Sequence, residues 1–185
     1  DCGACHVREA EEFASSRHSQ GGDILDSLDN ILGEQVEGVA AAVLGCQQCH
    51  GAPVEVLADG RMIAETRRAV RVCETASPPT FYLPPEDVHT ELLVPVEHRT
   101  FCEWKGHASY WTLADGSSPQ PVAWSYLAPF RAFEAIRGWL CFYPGRVDCS
   151  VGGAAVQPQH SEFYGGWITP EVVGPFKGDP GTGGW

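Results

Sequence analysis

Two short motifs near the beginning of the chain constrain it more than any other feature. Each is a pair of cysteines separated by two residues, with a histidine directly after the second cysteine: CGACH at residues 2–6 and CQQCH at residues 46–50. In such a motif both thiols can bond to the vinyl groups of a porphyrin while the histidine is placed beneath the iron. Two copies predict two covalently bound haem c groups, because redox and zinc sites share CxxC without needing the adjacent histidine. The anchors would be Cys2, Cys5, Cys46 and Cys49, and the proximal ligands His6 and His50.

The sixth ligand of each iron decides what the haem can do, since a closed iron transfers electrons and an open one can bind ligands or catalyse. The preferred sixth ligand is His18, which lies in a predicted helix. If residues 6–18 form one helix, His18 lies about 18 Å from His6 along the axis, at about 1.5 Å per residue. We therefore expect His18 to ligate the second haem and to bring the two haems close together. For the first haem, His107, His160 and a histidine of a neighbouring subunit remain open.

The chain is acidic, with 24 Asp and Glu residues against 12 Lys and Arg and a formal net charge of −12. No basic patch is present to offset phosphate groups, so we expect no nucleic-acid partner and no attraction to anionic membranes. No apolar run reaches the roughly 18 residues that a membrane-spanning helix needs, so no membrane span is predicted.

Four further cysteines, without CxxC spacing, are Cys73, Cys102, Cys141 and Cys149. Haem is attached to c-type proteins outside the cytoplasm, and a start at Asp1 beside Cys2 suggests a processed chain, so we predict a periplasmic or extracellular location. One or two disulfides among the four are then expected, and three complete pairings are left open. A structural zinc site and buried thiols are the alternatives.

The composition changes near residue 51. Before it, apolar residues recur at helical spacing and no proline occurs, whereas β-branched and aromatic residues later form short runs between prolines and glycines. The predicted fold class is α+β: a short helical dihaem-binding segment, residues 1–53, followed by a mainly-β domain, residues 54–185. Strands are predicted at residues 54–57, 61–64, 70–73, 92–94, 108–113, 139–143 and 147–151. A hairpin turn is predicted at Asp59-Gly60 and one short helix at residues 131–136.

The first part of the chain, residues 2–51, resembles the start of multihaem cytochromes of the hydroxylamine-oxidoreductase type. The resemblance rests on CGACH at residues 2–6, FASSRH at residues 13–18 and GCQQCHG at residues 45–51. It implies that His18 is an axial ligand, and it does not carry over the oxidoreductase active site.

The second part, residues 54–185, resembles the family known as domain of unknown function 427, also labelled nucleotidyltransferase-like. The residues that carry the resemblance are RVCET at 71–75, FYLPPEDV at 81–88, CEWKG at 102–106, ASYW at 108–111, AWSY at 123–126 and YGGWIT at 164–169. The resemblance implies a compact β-tent-like domain and no defined activity. Within it, Glu74, Glu86, Asp87 and Lys105 are candidates for acid–base chemistry if they converge on one pocket.

These features together predict an extracytoplasmic dihaem cytochrome, not an enzyme, that transfers electrons through a close pair of bis-histidine haems. Its partners would be redox proteins and further copies of itself, in an oligomer or an extracellular filament. The alternative is a haem enzyme or sensor with one open, five-coordinate iron. A third interpretation is a binding module that its first fifty residues tether to a redox partner.

Overall fold

The structure, a computed structural model, describes residues 52–161 and 163–182. The chain divides into two compact units, Asp1–His50 and Gly51–Trp185, and the described residues all belong to the second. The boundary that the sequence predicts, between residues 53 and 54, lies close to this division. Within the described residues, no helix has the length and the apolar character needed to cross a bilayer.

Twelve strands form four antiparallel sheets in the described part of the chain. One four-stranded sheet has the order β10-β9-β1-β2 and the other has the order β5-β6-β7-β8, while β3 pairs with β4 and β11 with β12. The strands are β1 Val54–Ala58, β2 Arg61–Thr66, β3 Val70–Val72, β4 Thr80–Tyr82, β5 Leu93–Cys102, β6 Gly106–Leu113, β7 Ala123–Ser125, β8 Leu140–Phe142, β9 Asp148–Val151, β10 Ala154–Ala155, β11 Gln157–Pro158 and β12 Trp167–Ile168.

The β1–β2 hairpin turns at Asp59-Gly60, as the sequence predicts. Ala58 pairs with Arg61 across the turn, and Asp59 and Gly60 have φ angles of 48° and 76°. Two consecutive residues in the left-handed region make the type I′ turn, whose twist matches that of the flanking strands. The Asp-Gly dipeptide therefore sets the register of this hairpin.

The β5-β6-β7-β8 sheet separates two clusters of buried side chains. Successive residues of a strand point to opposite faces. Ala123 and Phe142 accordingly join the larger apolar core with residues of β1 and β2, such as Val56. Trp124 and Cys141 lie on the other face, in a second cluster rich in aromatic rings. The candidate functional site lies on this second face, among the aromatic rings.

The predicted α+β class is wrong for the part of the chain that the structure describes, which is mainly β with several antiparallel sheets. Its helical segments are all short 3-10 turns, namely Pro85–Asp87, Thr90–Leu92 and Arg131–Ile136. All 14 prolines of the chain lie from Pro53 onward, and the runs between them are rich in β-branched and aromatic residues, which favour strands. The helical dihaem-binding segment predicted for residues 1–53 falls outside the described residues, except for residues 52 and 53, which are not helical.

Candidate functional site

Most of the predicted haem-binding residues cannot be placed in the fold. Those that lie outside the described residues are Cys2, Cys5, His6, His18, Cys46, Cys49 and His50. Their roles, and the crossing of His18 to the second haem, stay predictions.

The two remaining candidate ligands, His107 and His160, lie on different elements of the β domain. His107 is an exposed residue of β6, and its ring packs 5.0 Å from that of Phe101, centroid to centroid. His160 is exposed beyond β11, and its Nδ1 atom lies 2.9 Å from Oδ1 of Asp179. Each imidazole therefore has a local contact that accounts for its position. The assignment of either histidine to an iron stays a prediction.

The prediction of two covalently bound haem c groups is wrong as far as the structure describes the chain. Among residues 52–161 and 163–182, no three His, Cys, Asp or Glu side chains come together in a group that could hold a metal ion. The physical reason is that the histidines of this part lie on the surface, whereas Cys141 and Cys149 lie in the apolar interior.

None of the four later cysteines forms a disulfide, so the expected cross-links are not found among the described residues. Cys73 is exposed and Cys102 is half-buried, while Cys141 and Cys149 are buried. Burial raises the pKa of Cys141 and of Cys149 well above the ordinary thiol value, because a thiolate would lose its hydration there. These two residues match the alternative of buried, unreactive thiols.

The most distinctive polar feature of the interior is an ion pair between Glu74 and Lys105. Glu74 lies in the loop that follows β3, and Lys105 lies in the turn between β5 and β6. The Lys105 ammonium group donates to Oε1 of Glu74. The lysine side chain is only 5% exposed, whereas that of the glutamate is 36% exposed, so the pair joins a buried charge to a partly solvated one.

Aromatic rings surround the buried lysine. Its Nζ atom lies 5.8 Å from the centroid of the Tyr126 ring and 5.7 Å from that of Phe133. Both distances allow a cation–π contact, which stabilises an ammonium group removed from water. Nearby, the indole nitrogen of Trp124 donates to the buried hydroxyl of Tyr82 at 3.2 Å. Burial raises the pKa of Tyr82 and of Tyr126 above that of an ordinary phenol, so both hydroxyls stay protonated.

Of the four residues predicted as acid–base candidates, the structure brings together only Glu74 and Lys105. Glu86 is exposed. Asp87 accepts a hydrogen bond from Thr66 at 2.6 Å and pairs with Arg68 at 2.9 Å. Hydrogen bonds from these two residues lower the pKa of the Asp87 carboxyl group. Glu74 and Lys105 join two distant segments of the chain, and Glu74 is the member of the pair that a molecule in solution can reach.

Sequence reasoning missed a cleft on the aromatic side of the β5-β6-β7-β8 sheet. Its volume is about 490 Å³. It is lined by Val96, His98, Tyr110, Thr112, Ser118, Pro119, Gln120, Pro121, Tyr143, Arg146 and Phe163. These residues come from five separate stretches of the chain, so no local pattern in the sequence indicated the cleft.

Comparison with known proteins supports one of the two sequence resemblances. A family model described as a domain of unknown function (DUF427) matches residues 47–153. No curated protein matches the chain, and the resemblance of residues 2–51 to multihaem cytochromes finds no support in these comparisons. The matched residues cover more than half of the chain and include β1 to β9. The chain therefore belongs to the DUF427 family.

Proposed function

We propose that the chain is an extracytoplasmic redox protein in which residues 1–50 carry electrons and the β domain serves as a scaffold. The observation that carries the proposal is the placement of four of the eight cysteines in two CxxC pairs, each followed by a histidine. Two closely spaced thiols can undergo redox chemistry themselves, and thiols and imidazoles are also ligands for redox-active metals. The function therefore rests on residues 2–6 and 46–50.

The chemistry of the β domain supports a scaffold role for it, with the redox chemistry assigned to residues 1–50. Its described residues contain no cluster that could hold a metal ion. Burial keeps the thiols of Cys141 and Cys149 protonated, and protonated thiols exchange electrons poorly. A domain of this kind contributes shape and surface, and the two motifs contribute the reactive atoms.

Voltammetry of the full chain, exported to a bacterial periplasm and purified, tests the proposal. We expect a reversible redox wave that disappears in the fourfold variant Cys2→Ser, Cys5→Ser, Cys46→Ser and Cys49→Ser. The matched control replaces two cysteines outside the motifs, Cys73→Ser with Cys102→Ser, and should keep the wave. Peptide mass spectrometry of the motif cysteines would identify what they carry, whether an added mass, a disulfide or a thiol.

Two outcomes would contradict the proposal. One is a full chain that is electrochemically silent, and the other is a wave that survives in the motif variant.

The partners proposed for the protein are redox proteins and further copies of the chain. Light scattering coupled to size-exclusion chromatography tests the self-association, because a single species at the mass of one chain across a wide concentration range would contradict it.

A further inference from the structure

Four large apolar side chains at the β5–β6 turn and the segment beside it are exposed to solvent. They form the turn patch, which consists of Phe101, Trp104, Leu127 and Phe130, each between 48% and 65% exposed. The rings of Phe101 and Phe130 contact each other edge to face, with their centroids 6.3 Å apart. The Phe130 amide donates to the carbonyl oxygen of Lys105 at 3.2 Å, so residues from both segments lie side by side. Contiguous exposed apolar surface of this kind marks an interaction site.

The backbone beneath the turn patch is held in place by the interior. Lys105 lies within the turn and points its ammonium group inward to Glu74. Pro129, between the exposed Leu127 and Phe130, is buried. Gly106 closes the turn with a φ angle of 98°, in the region that favours glycine. Because the backbone is already fixed, little conformational entropy is lost when a partner covers the patch.

Two charges of opposite sign flank the turn patch. Glu103 is next to Trp104 and Arg131 is next to Phe130 in the chain, and both are exposed. Among the residues that the structure describes, neither of these two side chains has an ion-pair partner. A surface that carries both signs is complementary in charge to a copy of itself, because a twofold axis can bring each Glu103 to Arg131 of the other copy.

We propose that the turn patch is a homodimer interface, in which two copies of the chain pack their β5–β6 turns together about a twofold axis. The buried centre of a homodimer interface is apolar and enriched in aromatic residues, as Phe101, Trp104 and Phe130 are here. The interface gives a location to the self-association proposed above and rests on that part of the proposed function. The redox motifs take no part in it.

The salt dependence of association distinguishes a second copy from a basic partner. Two copies with a formal charge of −12 each repel one another at long range, and salt screens that repulsion. The exposed Glu103 and Arg131 charges contribute little in the opposite direction. Sedimentation equilibrium of the full chain should therefore show tighter self-association at about 150 mM than at about 10 mM sodium chloride. Dimers that weaken as salt is added would overturn the proposal.

Substitutions of exposed rings test the location of the interface. Phe101→Ser and Trp104→Ser should each raise the dimer dissociation constant at least about tenfold, as expected of aromatic residues at the centre of an interface. Phe163→Ser is the matched control, because Phe163 is 59% exposed, against 60% for Phe101, and lies outside the turn patch. It should leave the constant unchanged. Equal effects of Phe101→Ser and Phe163→Ser, or a chain that stays monomeric at millimolar concentration, would overturn the proposal.

Charge reversal tests the twofold arrangement. Glu103→Arg and Arg131→Glu each bring like charges together across the axis, so each variant alone should self-associate more weakly than the unaltered chain. Mixed in equal amounts, the two variants regain opposite charges at both contacts and should form a one-to-one dimer with about the original affinity. A mixture that associates no better than the separate variants would overturn the proposal.

Voltammetry of the same proteins separates this interface from the redox proposal. Trp104→Ser should be monomeric and keep the redox wave. A dimer that persists in Trp104→Ser, with the wave present, would overturn the interface alone. A chain that dimerises through the turn patch and is electrochemically silent would overturn the redox proposal alone.

Discussion

The Lys105 ammonium group is ion-paired with Glu74 beneath the rings of Tyr126 and Phe133. The two charged residues are 31 positions apart in the chain, so the pair connects the loop after β3 to the β5–β6 turn. A buried ammonium group is tolerable only while its partner is present, because the free energy of dehydration is otherwise uncompensated. The pair thus ties the small β3–β4 hairpin to the β5-β6-β7-β8 sheet.

Glu74→Gln is expected to destabilise the fold by about 2 kcal/mol, because it leaves the buried Lys105 charge without a counter-charge. The partial solvation of Glu74 keeps the loss below that of a fully buried pair. Urea denaturation followed by circular dichroism measures the change. The matched control is Glu134→Gln, which breaks the Arg137–Glu134 pair, whose side chains are more than half exposed. That variant should leave the free energy of unfolding nearly unchanged, because solvent screens an exposed pair. Equal effects of the two substitutions would show that the Glu74–Lys105 pair does not stabilise the fold.

Gly165→Ala is expected to destabilise the fold by about 1–3 kcal/mol through overpacking. A Cβ atom at this position would lie 2.6 Å from Cη2 of Trp124 and 2.9 Å from Cδ1 of Tyr143. Gly145→Ala is the control, because its nearest neighbour would lie at an ordinary 3.5 Å, on Pro158. Thermal unfolding of the two variants compares them directly. A Gly165→Ala protein as stable as the Gly145→Ala protein would mean that residue 165 does not pack against the aromatic cluster.

Cys141 and Cys149 are expected to resist alkylation in the native protein. Both are buried, and the raised pKa of each thiol suppresses the reactive thiolate. Treatment with iodoacetamide at pH 8, followed by peptide mapping, should label the exposed Cys73 first and the two buried cysteines only after addition of denaturant. Rapid native labelling of Cys141 would contradict the described packing of β8.

The free energy of unfolding is expected to fall as the pH rises above about 9. Burial raises the thiol pKa of Cys141 and Cys149 above the ordinary 9.0, and the phenol pKa of Tyr82 and Tyr126 above the ordinary 10.0. The folded protein then binds more protons than the unfolded chain, so this contribution is complete below the unfolded pKa values and is lost above them. Urea midpoints from pH 7 to pH 11 measure the decline.

A pair of cysteine variants tests the cause of this alkaline decline. Cys149→Ala removes one buried thiol, so its stability should fall less steeply between pH 9 and pH 10 than that of the unaltered chain. Cys141→Ala removes the other buried thiol and should reduce the slope in the same way. A stability that is constant from pH 7 to pH 11 would contradict the burial of these groups.

Local patterns of apolar residues predicted most of the hairpin strands. They missed the strands that are too exposed or too short to show such a pattern. The predicted strands at residues 54–57, 61–64 and 108–113 lie within β1, β2 and β6. The run at residues 92–94 predicted only the start of β5, which continues to Cys102 through polar and exposed residues. An edge strand that is exposed along most of its length shows weak periodicity, because only one part of it faces a core. β4 and β7 are three residues long and fully buried, a length at which alternation cannot be recognised.

Sequence alone determined the spacing of the two CxxCH motifs, the Asp59-Gly60 turn and the membership of residues 47–153 in the DUF427 family. Each of these depends on neighbouring residues or on a pattern along the chain. Tertiary structure alone decided that Glu74 meets Lys105, that Asp87 pairs elsewhere with Arg68, and that Arg146 faces an aromatic cleft. Such contacts depend on which strands pair and on which faces of the sheets pack together. Contacts between residues far apart in sequence leave no local periodicity, so they appear only once the sheets are assembled.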